Sequence, residues 1–183
     1  MTRCVALLRG VNVGGNNGVP MSELKALATA LALGDPRTLL QSGNLVFSSD
    51  DQNTADLERR FEAAIAETIG VKTEVCVRTA AAWRRLVAAN PFPRAATEDP
   101  GHLLLMAFKS APPPDAPDSL AAVYGGPEQV RLAEGHAYIV YPEGVGRSKL
   151  TPALLGRHLG QGAARNWNTV LKLRDLLAEP ASR

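Results

Sequence analysis

Thr38-Leu39-Leu40-Gln41-Ser42-Gly43-Asn44-Leu45-Val46-Phe47-Ser48-Ser49 is the stretch that decides the fold. Residues 38–41 and 45–49 read as strands, and the small, turn-forming Ser42-Gly43-Asn44 between them signals a tight hairpin. On its N-terminal side, residues 20–33 carry Leu24, Leu27 and Leu31 at helical spacing, with Pro20 in the first turn and Gly34 past the end. Before that helix, residues 3–9 read as a strand. On the C-terminal side, Asn53 or Thr54 caps a helix whose Leu57, Phe61, Ile65 and Ile69 recur every four residues until Gly70, and residues 73–78 form a further strand. The order strand, helix, strand, strand, helix, strand is the ferredoxin-like arrangement.

The remainder repeats that order. A helix over 79–89, capped by Thr79, is stopped by Asn90-Pro91-Phe92-Pro93. Residues 102–108 form a buried strand, 118–124 a short helix, and 128–132 with 136–141 a hairpin around Ala133-Glu134-Gly135. A helix over 148–159 carries Leu150, Leu154, Leu155 and Leu159. A short strand over 163–167 precedes a last helix, 169–178, with Asn168 as its cap. The expected architecture is α+β: two ferredoxin-like (βαββαβ) halves packed together with extra helices. They occupy residues 1–90 and 102–183, with 91–101 as connector. First and last strands of such a sheet are antiparallel neighbours, and strand alternation places Cys4 and Cys76 together on the face opposite Val5, Leu7, Val75 and Val77.

Composition bounds the function classes. The 183 residues are 45% hydrophobic and 21% charged, enough for a packed core and unlike a disordered chain. No run of eighteen apolar residues suggests a membrane span, the N-terminal apolar segment is too short for a signal peptide, and two distant cysteines form no disulfide framework. A cytoplasmic protein with free thiols is expected. His102, His136 and His158 lack metal-ligand spacing, so neither a metal nor a cofactor is expected. The net charge of +2 is unevenly distributed: residues 145–183 hold seven Lys or Arg against Asp175 and Glu179, leaving −3 on the rest. A basic C-terminal stretch suits an anionic partner, and equally a solvated helix face whose C-terminal cations favour the dipole.

Three segments carry the functional candidates. Arg9-Gly10-Val11-Asn12-Val13-Gly14-Gly15-Asn16-Asn17-Gly18 follows a strand and precedes a helix. Its glycines allow close backbone approach and its amides can form an anion-binding nest, with Arg9, Asn12, Gly14 and Gly15 as the ligand-binding candidates; the bland reading is a tight loop stabilised by asparagine side chains that mimic turns. It lacks the Gly-Lys-Ser/Thr of the phosphate-binding loop of nucleoside triphosphatases and the spacing of a dinucleotide fingerprint. Gly144-Val145-Gly146-Arg147-Ser148-Lys149-Leu150-Thr151 also opens a helix, and Arg147, Ser148 and Lys149 suit a phosphate or carboxylate; the bland reading is a helix capped by Ser148. Arg165-Asn166-Trp167-Asn168-Thr169 could grip phosphates or stack on bases, with Arg165, Asn166 and Trp167 as candidates, or could anchor the last helix in the core. Ser42 and Asn44, at the hairpin tip, are the remaining candidates. No acid/base or nucleophilic constellation stands out, and catalysis by positioning alone stays open.

Arg9-Gly10-Val11-Asn12-Val13-Gly14-Gly15, Val19-Pro20-Met21, Glu23-Leu24 and Gln41-Ser42-Gly43-Asn44-Leu45-Val46-Phe47 resemble the N-terminal signature of one bacterial family, domain-of-unknown-function family 1697. Gly146-Arg147-Ser148-Lys149-Leu150-Thr151 and Arg165-Asn166-Trp167-Asn168-Thr169-Val170 resemble its C-terminal one. The resemblance implies an α+β fold of ferredoxin-like halves and no established activity, substrate or cofactor. That family's first loop usually carries lysines where this chain has Asn16 and Gly18, so an anion site would rely on Arg9, Arg147, Lys149 and Arg165. Three functional readings follow: binding of a phosphate-bearing or other anionic ligand, a nucleotide or nucleic acid; a small-molecule enzyme with its site between the halves; or motifs that are purely structural.

Overall fold

A computed structural model describes residues 1–15 and 17–180. Asn16 of the first glycine loop and Arg183 of the basic stretch lie outside the described residues. The chain divides into two units, Met1–Arg84 with the chain from Leu173 onward, and Arg85–Lys172.

The first unit contains β1 (Thr2–Leu8), α1 (Met21–Ala30), β2 (Gly34–Leu39), β3 (Asn44–Ser49), α2 (Thr54–Thr68) and β4 (Val75–Thr79). Its sheet has the order β2-β3-β1-β4 with antiparallel neighbours, as the ferredoxin-like reading requires. β1 is central and Cys4, Val5, Ala6, Leu7 and Leu8 are fully buried, because neither face of the strand reaches solvent. Cys4, Ala6, Leu8, Phe47, Val75 and Val77 pack against Leu24, Leu27, Leu57, Phe61 and Ile65 of the two helices. The Phe47 and Phe61 rings meet edge-on at 5.3 Å. Asn53 caps α2 through its side-chain oxygen, which accepts from the Asp56 amide.

The second unit repeats the order with β5 (Leu103–Phe108), α5 (Ala116–Ala121), β6 (Gln129–Ala133), β7 (His136–Val140), α6 (Pro152–Leu159) and β8 (Gly162–Asn166), in the sheet order β6-β7-β5-β8. Its core joins Met106, Phe108, Ala137, Ile139 and Tyr141 of the sheet side to Leu120, Leu150, Leu155 and Leu159. α3 (Ala80–Ala88), begun by Thr79 accepting from the Ala82 amide at 3.2 Å, and α7 (Trp167–Ala178) each cross from one unit to the other along the chain.

Several local expectations are corrected. The edge strand β2 begins at Gly34, earlier than residue 38, because Asp35 adopts φ 43° at a register shift that lets Pro36 sit in an edge strand. Within the expected connector, residues 91–101, a short helix α4 (Pro93–Glu98) forms with proline in its first turn. Thr151 caps α6, accepting from the Leu154 amide, whereas Ser148 lies outside that helix, after a 3-10 turn over Val145–Arg147. Asn166, two residues before the expected Asn168, caps α7 by accepting from the Thr169 amide at 3.0 Å and the Thr169 hydroxyl at 3.1 Å.

The two cysteines do not share a face. Leu7 pairs with Cys76 and Ala6 with Val77, so Cys76 faces as Leu7 does while Cys4 lies with Ala6, Val75 and Val77 in the helix-covered core. One residue of register decides this, since a single step reverses the side a strand residue faces. Burial pushes the Cys4 thiol up to about 11, against a smaller opposing effect of Arg3.

Candidate functional site

The loop after β1 is held by its own side chains. Asn12 takes φ 56°, a left-handed conformation that asparagine tolerates. Its side-chain amide donates to Val19 O at 2.9 Å and Gln41 O at 2.6 Å, while its Oδ1 accepts from Val19 N at 2.8 Å. These bonds close the loop on itself and tie it to the hairpin after β2. Arg9 forms an ion pair with Glu74 at 2.8 Å, and its backbone carbonyl accepts from the Thr73 hydroxyl. Gly14 and Gly15 are exposed with positive φ, and a Cβ at either would meet nothing within 4 Å among the described residues.

The hairpin residues are equally engaged. Asn44 is fully buried and donates to Leu39 O and to the Ser42 hydroxyl at 2.8 and 2.9 Å. Gly43, at φ 75°, is indispensable on steric grounds: a Cβ would lie 2.7 Å from Val11 and 2.8 Å from Leu8, whose amide bonds the Gly43 carbonyl. The motif shared by 9–15 and 41–47 therefore welds β1, its loop and the hairpin into one piece.

In the second unit the C-terminal motif separates into a buried and an open part. Arg165 is only 8% exposed and its guanidinium donates to Ala164 O. Trp167 is 3% exposed, its ring 6.2 Å from that of Tyr138 and its amide bonded to Pro100 O. With Asn166 capping α7, this segment anchors a helix with its indole buried.

Arg147 and Lys149 behave differently. Both are exposed, and neither side chain has a hydrogen bond or ion pair among the described residues. They line a cavity of about 390 Å³ together with Ser148, Glu143 and the turn over residues 124–128. Between the two cations, the Ser148 hydroxyl donates to Glu128 Oε1 and accepts from the Leu150 amide at 2.9 Å. Tyr124 donates to the other carboxylate oxygen, Oε2, at 2.7 Å. Burial alone would raise the Glu128 carboxyl, but the hydrogen bonds from Ser148 and Tyr124 outweigh it and hold the group below its ordinary range. The same bond to Glu128 is the chief cause that raises the Tyr124 phenol. Gly126 packs over this chain: a Cβ there would overlap the Tyr124 hydroxyl and come within 2.6 Å of Glu128 Oε2.

Sequence reading found Arg147, Ser148 and Lys149 but missed Tyr124, Gly126, Glu128 and Glu143. The one available signal was Tyr124-Gly125-Gly126-Pro127-Glu128, a turn-rich run with a phenol and a carboxylate at its ends. Only pairing of β6 with β7 and packing of α5 against α6 bring that run beside residue 148. Among the described residues no group of three or more His, Cys, Asp or Glu could hold a metal ion, and no helix is long and apolar enough to cross a membrane.

A family model described as "Protein of unknown function (DUF1697)" matches residues 1–138. Among solved structures the chain is similar to conserved bacterial protein SP0830 from Streptococcus pneumoniae. The TM-score is 0.73 and the identity 22%, over 96% of this chain and 98% of that one. At that identity the likeness speaks for the fold alone. No curated protein matches the chain. With well over half of its length matched, and with the glycine loop and hairpin of the N-terminal signature inside the match, the chain belongs to the DUF1697 family of unknown function.

Proposed function

We propose that the protein binds a small phosphate-bearing ligand in the cleft of its second unit, with Arg147 and Lys149 as the anion-binding residues. One observation carries the reading: of the four cations singled out for an anion site, these two are exposed and without a partner among the described residues, and they line the same cavity. Arg9 is paired with Glu74 and Arg165 is buried. A guanidinium offers a planar fork for phosphate oxygens and an ammonium a mobile point charge, a complementary pair for a phosphoryl group. The nucleic-acid version is disfavoured because Trp167, its stacking residue, is buried. The N-terminal motif residues serve the fold in this reading. A cytoplasmic location is part of the proposal, supported by two buried thiols held on opposite faces of one sheet.

The test is titration calorimetry of the full chain with inorganic phosphate. Binding that weakens at least ten-fold in Arg147→Ala and in Lys149→Ala, and is unchanged in Arg9→Ala, is the expected result. Equal affinity in wild type and both cleft variants would refute the assignment.

A further inference from the structure

The cleft is not a simple basic pocket. Glu128 and Glu143 line it beside Arg147 and Lys149, so its four charged side chains sum to no net charge. A bare anion that approaches the two cations also approaches two carboxylates, which oppose it. A ligand gains fully only if it presents an anionic group to Arg147 and Lys149 and hydrogen-bond donors to the carboxylates. The cavity, at about 390 Å³, is far larger than a phosphate ion and lies at the small end of the range for small-molecule sites.

Resting on the anion-binding reading above, we propose that the ligand is a phosphorylated polyol of sugar size, its phosphate on Arg147 and Lys149 and its hydroxyls on Glu128 and Glu143. Two features favour hydroxyls over an ammonium as the donors. Glu128 already accepts from the hydroxyls of Ser148 and Tyr124, so its charge is dispersed over neutral donors while acceptor capacity remains for more of the same kind. Glu143 is exposed and solvated, a rim group that exchanges water for a hydroxyl at little cost. Gly126, with no side chain over the Tyr124 hydroxyl and Glu128, leaves the carboxylate wall approachable by a sugar ring, and the Tyr124 ring supplies part of the lining.

Titration calorimetry of the full chain with ribose 5-phosphate, inorganic phosphate and phosphoethanolamine separates the possibilities. Ribose 5-phosphate is expected to bind at least ten-fold more tightly than either of the others. Glu143→Gln, a change at an exposed side chain, is expected to weaken ribose 5-phosphate several-fold while leaving inorganic phosphate no weaker than in wild type. Phosphate binding with no preference for ribose 5-phosphate would overturn the polyol assignment and leave the anion site standing. Tighter binding of phosphoethanolamine would overturn it in favour of an ammonium-bearing phosphate. Failure of all three to bind would overturn both readings.

Discussion

Replacing Asn12 with alanine removes three hydrogen bonds at once: two donated by its amide, to Val19 O and Gln41 O, and one accepted from Val19 N. Val19 is 1% exposed, so its backbone amide and carbonyl lose partners with little access to water. Net contributions of about 1 kcal/mol per bond, reduced at the more exposed Gln41 carbonyl, and the poorer fit of alanine to φ 56° together suggest a loss of about 2–3 kcal/mol. For a chain of this size that corresponds to a fall of roughly 5–10 °C in melting temperature. Thermal melts followed by circular dichroism measure it, with Asn12→Gly as the comparison. Glycine loses the same bonds but accepts the left-handed backbone, and is expected to melt above the alanine variant. Titration of both variants with inorganic phosphate completes the experiment, with affinity expected to match wild type. A melting temperature within 1 °C of wild type, or loss of ligand binding in a folded Asn12→Ala protein, would show that the loop is not the structural clasp described.

Three further predictions concern the first unit. Gly43→Ala is expected to destabilise by about 2–4 kcal/mol, from the left-handed backbone and from overpacking against Leu8 and Val11, as read from denaturant unfolding; a loss below 0.5 kcal/mol would contradict the tight packing at that turn. Native protein at pH 8 is expected to leave both buried thiols unreacted with a thiol-specific chromogenic disulfide until denaturant is added, and mild oxidation is expected to yield no Cys4–Cys76 bridge, because the side chains leave opposite faces of the sheet. The Cys4 pKa of about 11 also fixes a sign: unfolded thiol loses its proton first, so this group's contribution to stability is present below the ordinary thiol range and is lost as pH rises toward 11. A urea-midpoint series in wild type and Cys4→Ala reads it, and a Cys4-dependent gain of stability above pH 9 would be the wrong sign.

Element order was legible in the sequence because its signals are local. The four-residue repeat of Leu57, Phe61 and Ile65, the cap at Asn53 and the turn at Gly43 each act within a few residues, and two βαββαβ runs admit few sheet arrangements. The motifs and their order likewise sufficed to indicate the family. What the sequence could not decide were properties set by register and by neighbours distant in the chain. Whether Cys76 faces Cys4 depends on one residue of slip between β1 and β4. Arg9 and Arg165 look identical to Arg147 as letters, and only folding shows that one meets Glu74, another is buried in β8, and the third is left exposed beside Lys149. The first glycine loop, read as a place for close backbone approach, is tied by Asn12 to Val19 and Gln41. The anion-binding reading rests instead on residues 124–149, brought together by strand pairing, because a side chain's charge is available to a ligand only when the fold leaves it no partner of its own.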